Sequence, residues 1–527
     1  MTAREQTFSP TPKQLLGFAL LQVLVMLLAV SGESLWIDEF WTAHFGALGS
    51  FKAFWNLLLV PSGSQTPLHF LHFFLWGLLQ PAGEYLFRLA NLPLFVAGQL
   101  AVFWALRSYP KAWAWTFLAL SSVHPMVWQY ANEARPYTMM FAAAQMILAY
   151  LLHLHSHSAS GRPAEPLFLC CFVLGGILLL GASLLGAFWV LAAGILVLVH
   201  HLRKGIWRDL LRGPNPWLLA VLLAASTVLT TYYLSSLLQG AGASRLASST
   251  PATVLFAAYE MLGLSGIGPS RLDLRSLGPA ALLPHAVPLL LAGGVLLWIL
   301  LLGLKEAQQR LGRRELVLLV ALGLLPALVV LLSGFVMHWR VLGRHLIASL
   351  PLLNLILALG LVKLWQNQLA AGRIPRRLLA LAGLLALVVS SAALRWAPLH
   401  SKDDYRSAAA VAKTANAHGQ RVWWAAGVIG ARYYGLPGDF DVQGELTSVH
   451  TPPVCTDRPG VQSVANAPLP CLLTLSTPDV VILSKPETFD TRGDIAAYLV
   501  AERYAVVQRL PAFTVWRRQI LLPVKKS

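Results

Sequence analysis

The sequence predicts a polytopic α-helical membrane protein of about eleven transmembrane helices followed by a C-terminal soluble α/β domain. Three observations carry this. Of 527 residues 56% are hydrophobic and only 12% charged, with a mean hydropathy of +0.62, far from soluble statistics. Uncharged apolar stretches of bilayer-spanning length recur along the chain, and hydropathy collapses after Arg395. The formal charge of +17 comes from Lys and Arg in short clusters between apolar runs, the pattern that sets membrane topology. No basic patch interleaved with aromatics marks a soluble domain, so nucleic acid is excluded as a partner.

The first apolar run, Gln14 to Gly32, follows Arg4 and Lys13 and is longer than a signal-peptide core, so it reads as an uncleaved first span. Further spans are expected at 85–106, 112–130, 136–152, 215–236, 286–304, 316–337, 346–362 and 378–394. Pro166 to His200 is 35 residues without a charge. As one helix it would run about 52 Å against a hydrocarbon core of about 30 Å, so it reads as two spans turning near Gly181 to Gly186.

Pro67 to Gln80 is apolar but short and bounded by Pro67 and Pro81. If it does not span, Arg107/Lys111, Arg162, Arg203/Lys204/Arg208/Arg212, Lys305/Arg310/Arg313/Arg314 and Lys363/Arg373/Arg376/Arg377 all share the side of the N-terminus. If it spans, all of them move to the other side, against the positive-inside rule. It therefore reads as a helix lying in the interface or re-entering it. The same solution puts Asp38/Glu39, Gln129 to Arg135, Leu237 to His285, Ser333 to His345 and everything after Arg395 together on the outer face. The expectation is a bacterial inner-membrane protein with a cytoplasmic N-terminus, a transmembrane domain over 1–395 and a periplasmic domain over 396–527.

In those last 132 residues, Asp404 to Ala417 reads as a helix and Arg421 to Ile429, Asp479 to Leu483 and Phe513 to Trp516 as strands. Cys170 and Cys171 fall inside a span and read as buried apolar residues. Cys455 and Cys471, 16 residues apart in a Pro-rich loop, either form a disulfide in an oxidising periplasm or stay free. No Cys/His spacing resembles a zinc site, and no clear metal-ligand cluster is in view, which leaves a divalent metal possible but not indicated.

Three short polar motifs stand at span ends. Trp36-Ile37-Asp38-Glu39-Phe40-Trp41 sets two carboxylates among aromatics at headgroup depth. A partly shielded carboxylate is a usable general base for a hydroxyl; a solvated interfacial turn is the other reading. In Asn132-Glu133-Ala134-Arg135-Pro136-Tyr137 a helix N-terminus and Arg135 suit an anion, or Glu133 and Arg135 pair with each other. His338-Trp339-Arg340 and Arg344-His345 put charge on the side the charge bias disfavours, and an Arg fork fits phosphate. Arg88 follows Glu84 at i,i+4, an intrahelical pair or a further phosphate contact. His69 has no matching ligands in view, and His153, His155 and His157 read as loop polarity.

Together these motifs resemble the bacterial GT-C glycosyltransferases of the protein O-mannosyltransferase and aminoarabinose transferase type. The resemblance rests on the acidic pair after the first span, Thr66-Pro67-Leu68-His69-Phe70, Phe87-Arg88-Leu89-Ala90, Glu133 to Tyr137 and Arg344-His345-Leu346 before a Pro-containing span, in that order through about residue 362. It implies a GT-C fold and an inverting transfer of one sugar from a polyprenyl-phosphate donor to a lipid, polysaccharide or protein acceptor. It makes Asp38 the base, Glu39 a residue that orients the acceptor or supports Asp38, and Arg135, Arg344 and Arg88 the phosphate ligands with His345 beside them. Glu133, Tyr137, His69 and Arg340 are further site candidates. Gln65 and Thr66 stand where aminoarabinose transferases carry Lys, a departure that argues against that sugar. A transporter or flippase would put charge near the midplane with inverted repeats, and a non-catalytic subunit of polysaccharide assembly would tolerate loss of Asp38.

Overall fold

A computed structural model describes residues 10–60, 66–160, 165–239, 248–366, 373–438 and 455–519. Arg4, Gln65 and Arg162 lie outside the described residues. Helix α1 (Pro12–Ala29) opens on a capping box, with Gln14 N donating to Thr11 Oγ1 and Thr11 N to Gln14 Oε1. It is followed by α2 (Ile37–Gly46), α3 (Phe51–Leu58), α4 (Pro67–Gly77), α5 (Gly83–Arg88), α6 (Asn91–Ala105), α7 (Lys111–Val123), α8 (Pro125–Ala131) and α9 (Tyr137–Ser160). Then come α10 (Pro166–Ala182), α11 (Gly186–Lys204), α12 (Asn215–Leu238), α13 (Pro251–Met261) and α14 (Arg271–Leu277). Two long helices, α15 (Ala286–Leu311) and α16 (Arg313–Val336), precede a 3₁₀ turn at Gly343–Ser349, α17 (Leu350–Gln366) and α18 (Arg373–Trp396).

Among the described residues nine helical stretches are long and apolar enough to cross a bilayer. The other two expected spans are α10, at 17 residues, and the α7–α8 pair, which breaks at Pro125. The turn inside Pro166 to His200 falls at Ser183 to Leu185, where the sequence puts it. With 11 residues α4 is about 16 Å long, too short to cross. Cys170 corrects the sequence reading: it is exposed on α10, with Cys171 half-buried, because an apolar side chain in a span faces lipid as readily as protein.

The chain packs as two units, Met1–Ser31 with Ser64–His400, and Gly32–Gly63 with Ser401–Ser527. In the helical unit α9 is buried along its whole apolar length, whereas α12 is mostly outward-facing. Small residues set the close crossings. A Cβ on Gly98 of α6 would strike Ala142 and Gln145 of α9, and one on Gly175 of α10 the Ala143 carbonyl. Gly303 of α15 and Gly360 of α17 face each other's backbones, where a Cβ would overlap the Ile356 and Ile299 carbonyls.

The α/β unit holds α2, α3 and α19 (Tyr405–Ala417), whose first turn Asp404 caps by accepting from Ser407 N. Its sheet runs β2-β1-β3-β5-β4, from β1 (Val422–Ala425), β2 (Val461–Ser463), β3 (Val480–Ser484), β4 (Tyr504–Leu510) and β5 (Phe513–Arg518). β1 pairs in parallel with β2 and β3, β5 antiparallel with β3 and β4. The strand expected over Arg421 to Ile429 stops at Ala425, and the chain passes through Gly427, the N-cap, into α20 (Val428–Tyr433). Helix α2 rests on α20 through Phe40, which meets the Tyr405 and Tyr434 rings edge-on at 5.0 and 5.9 Å. Gly430 makes room, since a Cβ there would strike both Phe40 and Tyr405. Cys455 and Cys471 are joined by a disulfide, their Cα atoms 5.2 Å apart.

Gly360→Val or Gly303→Val is expected to cost about 1–3 kcal/mol by overpacking, seen as a lower Tm in detergent, while Gly17→Val, on open surface, changes it little. Opening the disulfide by Cys455→Ser/Cys471→Ser is expected to lower the stability of the α/β unit by about 3 kcal/mol, the chain-entropy value for a loop near this length. Protease resistance of that unit with and without reductant checks it.

Candidate functional site

In the helical unit the polar groups gather around the loop between α8 and α9. The Pro136 carbonyl accepts from Met140 N, continuing the ladder of α9, and Thr138 Oγ1 donates to the Tyr130 carbonyl, closing the loop on itself. Asn91, just after Arg88, donates from Nδ2 to the Ala131 and Glu133 carbonyls at 3.1 and 2.7 Å. Asn132 Oδ1 accepts from Ser31 N at 2.6 Å, and Arg88, fully buried, donates to the Ser31 carbonyl at 2.9 Å. Arg88 therefore grips the backbone two residues past the end of α1.

Three guanidinium groups lie over two tyrosine rings. Arg135 and Arg344 stand 5.9 and 5.6 Å from the centroid of Tyr137, and Arg271 5.8 Å from that of Tyr130. The two rings meet edge-on at 4.8 Å. Arg271 also donates to Tyr130 Oη at 3.0 Å and to Glu133 Oε1 at 3.4 Å, with Glu260 Oε1 at 3.9 Å. The Gln129 amide, with its oxygen turned inward, accepts from Arg271 Nε at 3.0 Å. Glu260 reaches the arginine motif from the other side, its Oε2 accepting from Gly343 N at 2.7 Å, next to Arg344. Burial raises the Glu260 carboxyl, while Arg271, the Gly343 N–H and Arg344 pull it back down. His69 of α4 meets the Ala134 backbone, and burial, then the Arg135 charge, holds its imidazole neutral, well below the usual range.

The sequence candidates thus divide. Arg135, Arg344, Tyr137, Glu133 and His69 come together. His345 uses Nδ1 to accept from Leu342 N, capping its own 3₁₀ turn, and packs edge-on against Trp339 at 5.2 Å. Arg340 is exposed. Sequence reasoning missed Arg271, Glu260 and Tyr130. The readable signal was an Arg and a Glu in the segment Leu237 to His285, 11 residues apart with no motif to join them.

In the α/β unit Asp38 is half-buried at the second position of α2 and Glu39 is fully buried at the third. Glu39 Oε2 accepts from Trp36 N at 3.3 Å and lies 3.6 Å from Lys402 Nζ.

The histidines near the end of α9 differ from the sequence reading. His153 is buried, and His153, His157 and Glu165 bring potential ligand atoms within 4.8 Å of one another. Glu165 is ion-paired to Arg107, and its N–H donates to His153 Nε2, while the buried His153 Nδ1 has no hydrogen-bond partner among the described residues. It lies about 25 Å of helix away from Tyr137.

No protein-family model matches the sequence, and curated protein sequences give no match. Among solved structures, apo ArnT from Cupriavidus metallidurans superposes with a TM-score of 0.52 at 14% identity, over 96% of this chain and 98% of that one. The same protein bound to undecaprenyl phosphate gives 0.48 at 14% identity over the same shares. The mycobacterial arabinofuranosyltransferase AftD gives 0.41 at 14% identity, over 98% of this chain and 41% of that one. The chain has the GT-C glycosyltransferase fold of a multi-pass membrane protein.

Glu260→Leu leaves the Gly343 N–H and part of Arg271 unsatisfied and is expected to lower stability by about 1–3 kcal/mol, with Glu260→Gln milder because one acceptor remains. Equal melting temperatures of the two purified variants and wild type would remove Glu260 from this network.

Proposed function

We propose that the chain is an inverting membrane glycosyltransferase that moves a sugar from a polyprenyl-phosphate donor to an acceptor hydroxyl at the periplasmic face of a bacterial inner membrane. The observation that carries the reading is the cluster of Arg135, Arg344 and Arg271 over Tyr130 and Tyr137, in a chain with the GT-C fold. Guanidinium forks suit a phosphate that stays attached to a lipid, and the tyrosine faces hold them where charge develops. That ArnT is seen with undecaprenyl phosphate supports this donor class. The Cys455–Cys471 disulfide supports an oxidising compartment for the α/β unit.

In this reaction the acceptor oxygen attacks the anomeric carbon from the face opposite the phosphate. Asp38 takes the hydroxyl proton, the bond from that carbon to the phosphate oxygen breaks, and the carrier leaves as a phosphate monoester with one more negative charge. Arg135, Arg344 and Arg271 meet that charge as it grows. Glu39, buried behind Asp38, holds the first turn of α2, and Arg88 acts on the backbone at Ser31.

Asp38→Asn is expected to cut transfer from labelled polyprenyl-phosphate sugars by about 10²–10⁴ while undecaprenyl phosphate still binds, and Arg344→Met to weaken that binding. Membranes carrying each variant at matched expression give both readouts. Full transfer by Asp38→Asn would move the base elsewhere.

A further inference from the structure

Two lysines in the α/β unit, distant from Asp38 in sequence, converge on the turn that carries it. Trp36 is the N-cap of α2, Asp38 its second residue and Glu39 its third. Glu39, with no exposed surface, is held by Trp36 N and faces Lys402 Nζ at 3.6 Å. Lys485 Nζ lies 5.9 Å from the centroid of the Trp36 ring and is ion-paired with Asp403, the residue after Lys402. Trp36, Glu39, Lys402, Asp403 and Lys485 thus close a circuit around the two ends of the first turn. With N-cap and third residue both fixed, the backbone of Asp38 between them has no freedom left.

Lys485 is an improbable residue for a purely structural place. It is 6% exposed, follows the last residue of β3 and holds a left-handed backbone, φ +37°, which non-glycine residues rarely adopt. Such backbone is kept where the surroundings over-determine it, most often at functional positions. The carboxyl ends of parallel strands are where open α/β sheets place their working residues, and β3 runs parallel to β1. A buried ion pair is poor support for stability by itself and is better suited to fixing one arrangement among several.

We propose that Lys402, Asp403 and Lys485 form an electrostatic clasp on the first turn of α2 and act as positioning residues for Asp38. The inference rests on Asp38 being the base. Lys402 neutralises the buried Glu39 and draws it inward; the Asp403–Lys485 pair seats the Trp36 ring; half-buried Asp38 lies between these two held residues.

The test is turnover at saturating labelled polyprenyl-phosphate sugar, KM for that donor, and binding of undecaprenyl phosphate, all with the full-length protein. Lys402→Met and Lys485→Met are each expected to lower turnover by about 10- to 10²-fold, as a small misplacement of a catalytic group does, with KM and carrier binding within about twofold. Lys402→Arg and Lys485→Arg should recover most of the loss. Where a single variant fails to fold, Glu39→Gln/Lys402→Met and Asp403→Asn/Lys485→Met leave no lone buried charge, and these should fold yet turn over slowly. Wild-type turnover in both double variants, with Asp38→Asn inactive, overturns the clasp and leaves the base in place. An active Asp38→Asn overturns the base and the clasp with it. Parallel loss of turnover, carrier binding and Tm in the double variants reduces the three residues to a structural role and also overturns the proposal.

Discussion

Both backbone groups of Ser31 are held by side chains from elsewhere in the helical unit. Asn132 Oδ1 accepts its N–H and Arg88 donates to its carbonyl. At the end of a span this matters, because the chain leaving a helix in an apolar setting carries backbone groups that water does not reach. Arg88 and Asn132 satisfy them and fix where the chain departs toward Gly32. Asn91 ties the same region to the Ala131 and Glu133 carbonyls, so the exit of α1 and the loop before α9 form one hydrogen-bonded body. The positions of Arg135 and Tyr137 follow from that body, and they follow also from α9, whose burial on every side leaves it no room to rotate.

The arginines illustrate how a cationic site is kept in a poorly polar setting. Isolated guanidinium charge is costly there, and removing one partner of a buried pair costs more than the pair contributes. Arg271 is met by Glu133, Glu260, Tyr130 and the Gln129 amide, so much of its fork is committed to protein. Arg135 and Arg344 share the face of Tyr137, which is attractive to cations without being an anion. On the glycosyltransferase reading, Glu133 and Glu260 set the frame through Arg271, while Arg135 and Arg344 are gathered on the Tyr137 ring.

Much of the frame was legible because bilayer thickness is a strict ruler. The 35 uncharged residues from Pro166 had to turn, and they turn at Ser183 to Leu185; α4 was too short and stays short. β3 and β5 announced themselves by Val-Val-Ile-Leu and Phe-Thr-Val-Trp, whereas β2, three residues long, and β4, interrupted by Gln508 and Arg509, carry too weak a pattern. Of the candidate residues in each unit, those close in sequence were readable: Asp38 with Glu39 in one, Glu133 with Arg135 in the other. Partners brought by the fold were not. Arg271 meets Glu133 across 138 residues, and Lys402 meets Glu39 from beyond the last span. Nothing local to Lys402 distinguishes it from any Lys near a span end, and hydropathy carries no information about which charges will meet.

That blindness has a physical direction. Short-range signals describe what a segment can do alone: cross a bilayer, cap a helix, offer a carboxylate. Electrostatic partners describe what the assembled chain permits, and they are selected by a low dielectric that exists only after folding. His153 makes the point from the other end of α9. As sequence, His153-x-His155-x-His157 is polar loop; folded, His153 is buried, stacked on Phe168 at 3.9 Å and accepting from Glu165 N, with Arg107 on the Glu165 carboxylate. There the arginine serves a carboxylate, whereas the Tyr137 cluster gathers its arginines around a ring. Which groups the fold brings together, rather than the count of charged residues, is what separates the two ends of α9.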